Sequence, residues 1–424
     1  MADRAVTKAV RRMIVIADFK VGNDIGRAHR KNVRYLRANP PARQIDVMAQ
    51  LLAEHAAARK QLPQSPAASG GLRSIWISVG PYFLGIALAA VLHCTVPAAI
   101  GPYYARIVID VGIAMILAVS LNIVSGMTGQ FSIGHAGFMT LGGYSAGMIT
   151  YYGSLLWWGN SARHGGFLDV GEWLFVAACV VGGLVAAGAG YVVGLPSLRL
   201  RGDYLAIVTL GFGEILRVIL QQTNKVLEDA EAVRASTLSD WIPPPVGGAV
   251  GFDGIPKYTN LFWVGAFLTI TVVMAYRLKQ SSMGRAMLAV RDDEIAAQAM
   301  GVDVAKTKVR AFVLAAFFAG IAGGLFAHER GLIISPKDAG FQRSFEYLIM
   351  TVLGGRGSIS GVMLAAAILT ALPEFLRDFE QYRLIVYALL LIMMMLLRPQ
   401  GLFGLQEIWQ IWPRRASSRR KTEA

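Results

Sequence analysis

Long apolar runs, interrupted by short polar or glycine-rich stretches, make up the chain from residue 75 onward. Residues 75–96, 104–124, 173–193, 261–276, 311–327 and 384–397 each meet or approach the roughly 20 apolar residues that a membrane-crossing helix needs. Residues 139–150 and 203–220 add two further helical runs. The segment 345–353 is apolar but only about nine residues long, roughly 14 Å as helix, too short to cross alone; another apolar run, 362–376, follows it. The period-two alternation of barrel strands is absent. In lipid a backbone must satisfy its own hydrogen bonds, so helices are the expected spanning element. The pattern predicts an all-α, polytopic membrane protein with about eight to nine transmembrane segments, some of them interrupted.

Two interruptions resemble each other. "GQFSIGHAGF" (129–138) and "GGRGSISGVM" (354–363) each follow an inward-going segment and precede an outward-going one. Glycine breaks at matching places in two halves point to a transport route built from interrupted helices. Glycine also permits close packing between membrane helices, which is the plainer reading.

Composition sharpens the class. The chain of 424 residues is 54% hydrophobic and 16% charged, with mean hydropathy +0.48. A soluble domain carries about 25% charged residues. The net charge of +14 gathers at the termini and in a few short loops, as expected of cytoplasmic segments rather than a nucleic-acid surface. Basic residues outnumber acidic ones over 1–74, which predicts a separate basic cytoplasmic N-terminal extension. Within it, 44–61 has the spacing of a short amphipathic helix. The transmembrane body is expected over 75–405 and a basic cytoplasmic tail over 406–424, with both termini inside. Cys94 and Cys179 both fall in apolar runs and match no disulfide or zinc spacing. No ATP-binding loop, metal constellation or serine elbow occurs, so this chain is not expected to be an enzyme and is expected to need no cofactor of its own.

One polar helix stands out between two spans, "AVRDDEIAAQAMGVDVAKTKVR" (289–310). Asp292 or Asp293 can cap its start, and Ala296, Ala297 and Ala299 keep it thin. Gly301 is a natural stop. Such a helix suits insertion into a groove on a soluble partner, and also suits a plain surface connector. Ionisable or polar residues inside apolar segments are functional suspects. Asp110, Asn122, His135, Glu214 and Glu346 are the candidates for a translocation route. Each has a bland alternative: Glu214 and Arg217, three apart, can pair on one helix face, and His135 can cap the helix that resumes after the first break.

These stretches resemble a known family. The pattern Glu294, Ala296, Ala297, Gly301 is similar to the coupling motif of ABC-transporter permeases. It departs by the insertion of Ile295 and by Ala311–Leu314 in place of the usual Ile-x-Leu-Pro ending, both features of the branched-chain amino acid branch. "LNIVSGMTGQFSIGHAGF" (121–138), "LRLRGDYLAIVTLGFGEILR" (198–217), "LGGRGSISG" (353–361) and "RPQGLFG" (398–404) agree with that branch in order. The resemblance implies one of two unlike permeases forming the membrane core of an importer in the bacterial inner membrane. It also implies two cytoplasmic ATPases holding ATP and magnesium, and a periplasmic binding protein that delivers the amino acid. Asp293, Glu294, Ala296, Ala297 and Gly301, within a coupling helix at about 290–302, are then the link to the ATPase. The same importer with urea, short amides or sugar as cargo is an alternative. A proton-coupled carrier relaying through Asp110, His135 and Glu214 is another.

Overall fold

The computed structural model describes residues 71–197, 203–329 and 333–376, with isolated positions between 382 and 407. All but the last four residues of the expected extension 1–74, most of the expected span 384–397, and all of the tail 406–424 except Glu407 lie outside them. Apart from residues 71–78, which begin the first helix, everything below concerns the compact unit Val79–Ala424.

Helix α1 (Gly71–Asn122) holds 52 residues, about 78 Å if straight, against a bilayer core of about 30 Å. It does not run straight. Gly101, between Pro97 and Pro102, takes φ 80° and ψ 166°, a region open essentially to glycine alone. The chain doubles back there. Gly85 and Ala89, before the bend, lie against Thr269 and Gly265, while Gly112, after it, lies against Val264. The two segments expected at 75–96 and 104–124 are the two arms of this bent helix.

The centre is three helices, α2 (His135–Trp158), α3 (Val170–Ser197) and α9 (Val304–Ala327). Apolar side chains gain little by leaving lipid for one another, so close backbone packing drives helix association. The backbones of Gly142 and Gly320 touch, and Gly182 sits on the carbonyl of Gly142. A side chain at any of these three positions would force the helices apart.

Around this centre run α4 (Asp203–Gln221), α5 (Ala230–Ala235), α6 (Leu261–Gln280), α7 (Ser282–Asp292) and α8 (Glu294–Ala299). Then come α10 (Phe341–Gly354) and α11 (Ile359–Phe375). Among the described residues five helices are long and apolar enough to cross a membrane, the doubled α1 counting once. The 14 residues of α10 reach about 21 Å and the 17 of α11 about 26 Å, each short of a crossing. They form a hairpin, with Gly354 packed on Gly361 and Val362. The short segment expected at 345–353 thus starts four residues earlier.

The end of the bundle away from α7 and α8 is closed by loops. Buried Glu172 accepts from Arg163 Nη2 at 2.8 Å, Leu168 N at 3.1 Å and Trp263 Nε1 at 3.0 Å, which fastens the 159–170 loop. Tyr144, Tyr151, Tyr152, Phe252 and Ile255 form a second apolar cluster beneath the 222–260 loop.

Candidate functional site

The arm that joins α6 to α9 begins with α7, capped by Ser281, whose hydroxyl accepts from Gly284 N. Asp293 is extended, at φ −160°, and ends α7 while starting α8. Its carboxylate accepts from Ile295 N at 2.8 Å and Ala296 N at 3.0 Å, satisfying two amides that a helix start leaves open. The arm is therefore two short helices with a corner, not one helix over 290–302. At the other end Gly301 takes φ 85°. Gly301 N donates to Gln298 O and Val302 N to Ala297 O, both at 3.0 Å, the paired bonds of a Schellman stop.

The alanine face does not point outward as a whole. Ala297 is buried, 4% exposed, in the chain's own packing. The outward residues are Ile295 and Met300, 73% and 83% exposed. Glu294 pairs with Lys308 Nζ at 2.5 Å, tying α8 to the start of α9. Arg291 Nη1 donates to Gly126 O at 2.9 Å, tying α7 to the turn just before the first glycine break.

The two breaks meet. At the foot of α1 the helix widens into a π-turn, Ile123–Met127. Asn122, fully buried, accepts from Gly357 N at 2.9 Å and donates to Ser358 O at 3.3 Å. Both ends of its amide thus tie the foot of α1 to the second break, and the breaks themselves touch where the Arg356 guanidinium stands 5.6 Å from the Phe131 ring centroid. Ser358 caps α11 by accepting from Gly361 N at 3.1 Å. Into the same turn comes Glu407, 2% exposed. It accepts from Lys279 Nζ at 2.5 Å, Ser360 Oγ at 2.7 Å, Ile359 N and Ser360 N at 3.1 Å, and Ser358 Oγ at 3.3 Å. Burial pushes its carboxyl up, but the Lys279 ammonium and the Ser360 and Ile359 donors outweigh that, leaving it below the usual carboxylate range. Lys279 also donates to Gly357 O at 2.7 Å. Since Lys279 precedes α7 by three residues, this cluster joins the second break to the arm.

His135 opens α2 and is 2% exposed. Its Nε2 lies 2.7 Å from Ser120 Oγ, which itself donates to Leu117 O. The hydroxyl's single proton being used, Ser120 accepts from Nε2–H. His135 pins the resumed helix to the end of α1, and the cap of α2 is Gly134. Glu214 accepts from Arg217 Nε at 2.6 Å and from Phe341 N at 3.2 Å, so it also holds the start of α10.

Asp110 and Glu346 belong to a third cluster, near the opposite end. The Asp110 carboxyl abuts that of Glu329, just past the end of α9. Arg106 Nε lies 3.4 Å from Glu329 Oε1. Arg343, on α10, stands 3.4 Å from Glu346 and 3.6 Å from Asp338 and contributes to the field at Asp110. The five sequence candidates thus separate: Asp110 and Glu346 share one cluster, Asn122 lies at the meeting of the breaks, and His135 and Glu214 each brace a helix start.

Sequence reasoning missed Arg106, Glu329, Arg343, Lys279 and Glu407. Arg106 was within reach, since it stands four residues before Asp110 in an apolar run, on the same helix face. Glu407 had no local signal, because its partners lie 47 to 128 residues away. Among the described residues no three His, Cys, Asp or Glu side chains converge as metal ligands.

The family described as the permease component of branched-chain amino acid transport systems matches residues 103–397, more than half of the chain. The high-affinity branched-chain amino acid transport system permease protein LivM of Salmonella typhimurium is 35% identical over 306 residues, covering 68% of this chain and 67% of its own length. LivM of Escherichia coli K12 is similar to the same extent. The permease protein LivH of Escherichia coli K12 is 27% identical over 302 residues, 70% of this chain and 92% of its own length. No solved structure matches the chain.

Proposed function

This chain belongs to the family of branched-chain amino acid transport permeases, and from that premise we propose that it is one of two unlike permease subunits of an ATP-driven ABC importer. The importer carries branched-chain or related hydrophobic amino acids across the bacterial inner membrane. A periplasmic binding protein delivers the cargo, and two cytoplasmic ATPases drive the cycle. The arm and both termini face the cytoplasm, in keeping with the basic residues Arg277, Lys279, Lys306 and Arg310 around the arm. Hydrolysis takes place on the ATPases, where phosphates and magnesium are held.

The observation that carries this reading is α8, six residues capped at both ends and set between two long apolar helices. It presents Ile295 and Met300 outward where a soluble partner can reach them. Two exposed apolar side chains on a short, braced helix fit a groove on the ATPase. Ala297 serves the near side, letting α8 sit close to its own chain. Closure of the ATPases displaces α8; the Glu294–Lys308 pair passes that to α9. Arg291 passes it to the turn before the first break, and Lys279 to the second break.

The test is a crosslink from Ile295→Cys, in a background without Cys94 and Cys179, to a co-expressed candidate ATPase. A crosslink that changes between ATP-bound and nucleotide-free states is expected. No crosslink at Ile295, Gln298 or Met300, with the ATPase shown to be assembled, would overturn the reading.

A further inference from the structure

After α9 the chain turns back into the bundle. Gly320 of α9 lies against Gly142 of α2, and His328 Nε2 stands 2.7 Å from Thr150 Oγ1. The two helices therefore run parallel, and the same register puts Ala136 level with Leu314. Past His328 the chain meets Gly143 at Ile334, whose carbonyl oxygen accepts from Tyr144 Oη at 3.2 Å and from Phe252 N at 2.9 Å. It meets Gly213 of α4 at Ala339, and the Ser344 hydroxyl accepts from Ala136 N at 3.2 Å. From Thr150 down to Ala136 is about 21 Å along α2. So α10 begins level with the middle of the apolar helix Val304–Ala327.

Most of that descent is not α-helical. Residues 333–340 hold one 3-10 turn, Pro336–Ala339, closed by Ser335 and Asp338. Non-helical backbone at membrane depth persists only where it is buried in protein or borders a water-filled cavity. One side of this segment is buried on α2 and α4. The other side, continued by the outward face of α10, exposes Lys337, Gln342 and Arg343, with Glu346 half-buried beside them. Glu214 and Arg217 of α4 adjoin this strip, since Glu214 accepts from Phe341 N at 3.2 Å. At a similar depth α3 turns Val181, Leu184 and Val185 outward, and α4 turns out Ile215 and Val218. Those faces suit lipid. The strip does not, because ionisable groups inside membrane segments face the bundle interior or water.

We propose that this strip is the wall of the water-filled route by which the cargo crosses, with residues 333–340 as its re-entrant part. Its edge runs along α4, where Glu214 and Arg217 give way to Ile215 and Val218. Arg343 stands 3.6 Å from Asp338 and 3.4 Å from Glu346, so the wall carries both signs, close to balance, and holds water without favouring ions of one charge. On the same face Phe341 and Phe345 stack at 5.4 Å and are 47% and 43% exposed, apolar contact for a hydrophobic solute. The wall leads to the meeting of the breaks, since α10 runs on to the turn that holds Arg356. The proposal rests on the permease reading and deepens it by naming the wall of the route.

The experiment reads water access by cysteine modification. Gln342→Cys and Lys337→Cys are made singly in a background lacking Cys94 and Cys179. Leu184→Cys, 58% exposed on α3 at a similar depth, is the lipid-facing reference. The complex of both permeases and the ATPases, in proteoliposomes, meets a membrane-impermeant cationic methanethiosulfonate in the nucleotide-free and vanadate-trapped states. The strip cysteines are expected to react on the order of tenfold faster than Leu184→Cys in one of the two states, because the reactive thiolate forms only where water reaches it. Their rates should differ between the states, and modification should stop leucine uptake. Lys337→Cys guards against a fault of the first variant. Reaction no faster than the reference at both positions and in both states overturns the route, and a short crosslink from residue 342 to the second permease then shows a subunit contact instead. Fast reaction that is the same in both states and leaves uptake intact overturns it too, as a water-filled surface that carries nothing. Uptake by the unsubstituted complex with binding protein is measured alongside. Uptake with unreactive cysteines defeats the route alone; absence of uptake of leucine, isoleucine and valine defeats the permease reading itself.

Discussion

Glu407 and Glu329 are both buried carboxylates, at opposite ends of one bundle, and their surroundings differ completely. Glu407 accepts from five donors on Lys279, Ser358, Ile359 and Ser360. Among the described residues Glu329 has the Arg106 guanidinium at 3.4 Å, the Asp110 carboxyl against it and the Lys257 ammonium in its field. Desolvating a carboxylate costs several kcal/mol, and only a full set of donors offsets that. The first carboxylate is therefore part of the architecture: it holds the second glycine break to the arm. The second, among the described residues, has no aligned donor, so it does less to hold the bundle together. Burial alone would have ranked the two alike.

The comparison breaks first at the filled end. Glu407→Ala should cost about 3–5 kcal/mol, the range for removing one partner of a buried ion pair, and should lower the melting temperature in detergent by far more than any change at Asp110. A melting temperature unmoved by Glu407→Ala would mean that the five bonds contribute nothing net. The next largest effect belongs to the end of α8. Nothing crowds the space a Cβ would enter at Gly301, so the penalty there is conformational. At φ 85° a β-branched residue costs about 1–3 kcal/mol. Gly301→Val is expected to leave insertion intact and to uncouple ATP hydrolysis from uptake; coupled uptake at the parent rate would remove α8 from the pathway of force.

Acidification is a gentler form of the first test. The folded-state carboxyl of Glu407 lies below its ordinary value. Its contribution is fully present above the unfolded carboxyl's pKa, about 4.3, and is lost as pH falls through the folded value. Melting temperature measured downward from neutral pH should therefore hold until that acid range and then drop, with a flatter profile in Glu407→Gln. The smallest effect on stability is expected at the unfilled end. Asp110→Asn relieves one of two abutting acids and should change stability by no more than about 0.5 kcal/mol, as for substitutions outside a satisfied network. A large loss of stability in that variant would make the Asp110–Glu329 cluster a brace after all and erase the contrast.

Much of the arm was legible along the chain. Asp293 caps α8 and Gly301 ends it because capping and left-handed stops are local chemistry, set within five residues. The pairing of Glu214 with Arg217 was equally local. The direction of the alanines was not, because which side of a six-residue helix is covered depends on what packs beneath it. Ala297 faces inward, and Ile295 and Met300 carry the open face. His135 illustrates the same limit: its place at the start of a resumed helix was readable, its partner Ser120 across the hairpin was not.

The sequence by itself determined that this is a helical, multi-pass membrane protein with two glycine breaks and a capped polar arm. Those features follow from segment length, apolar content and local turn chemistry, each decided within a window of about 20 residues. Only the tertiary structure decided that α1 doubles back at Gly101, that its foot holds the second break through Asn122, and that among the described residues Glu407 has aligned donors where Glu329 has none. Whether a buried polar group is satisfied is a property of partners 47 to 235 residues apart here, and no pattern along the chain records which of them arrive.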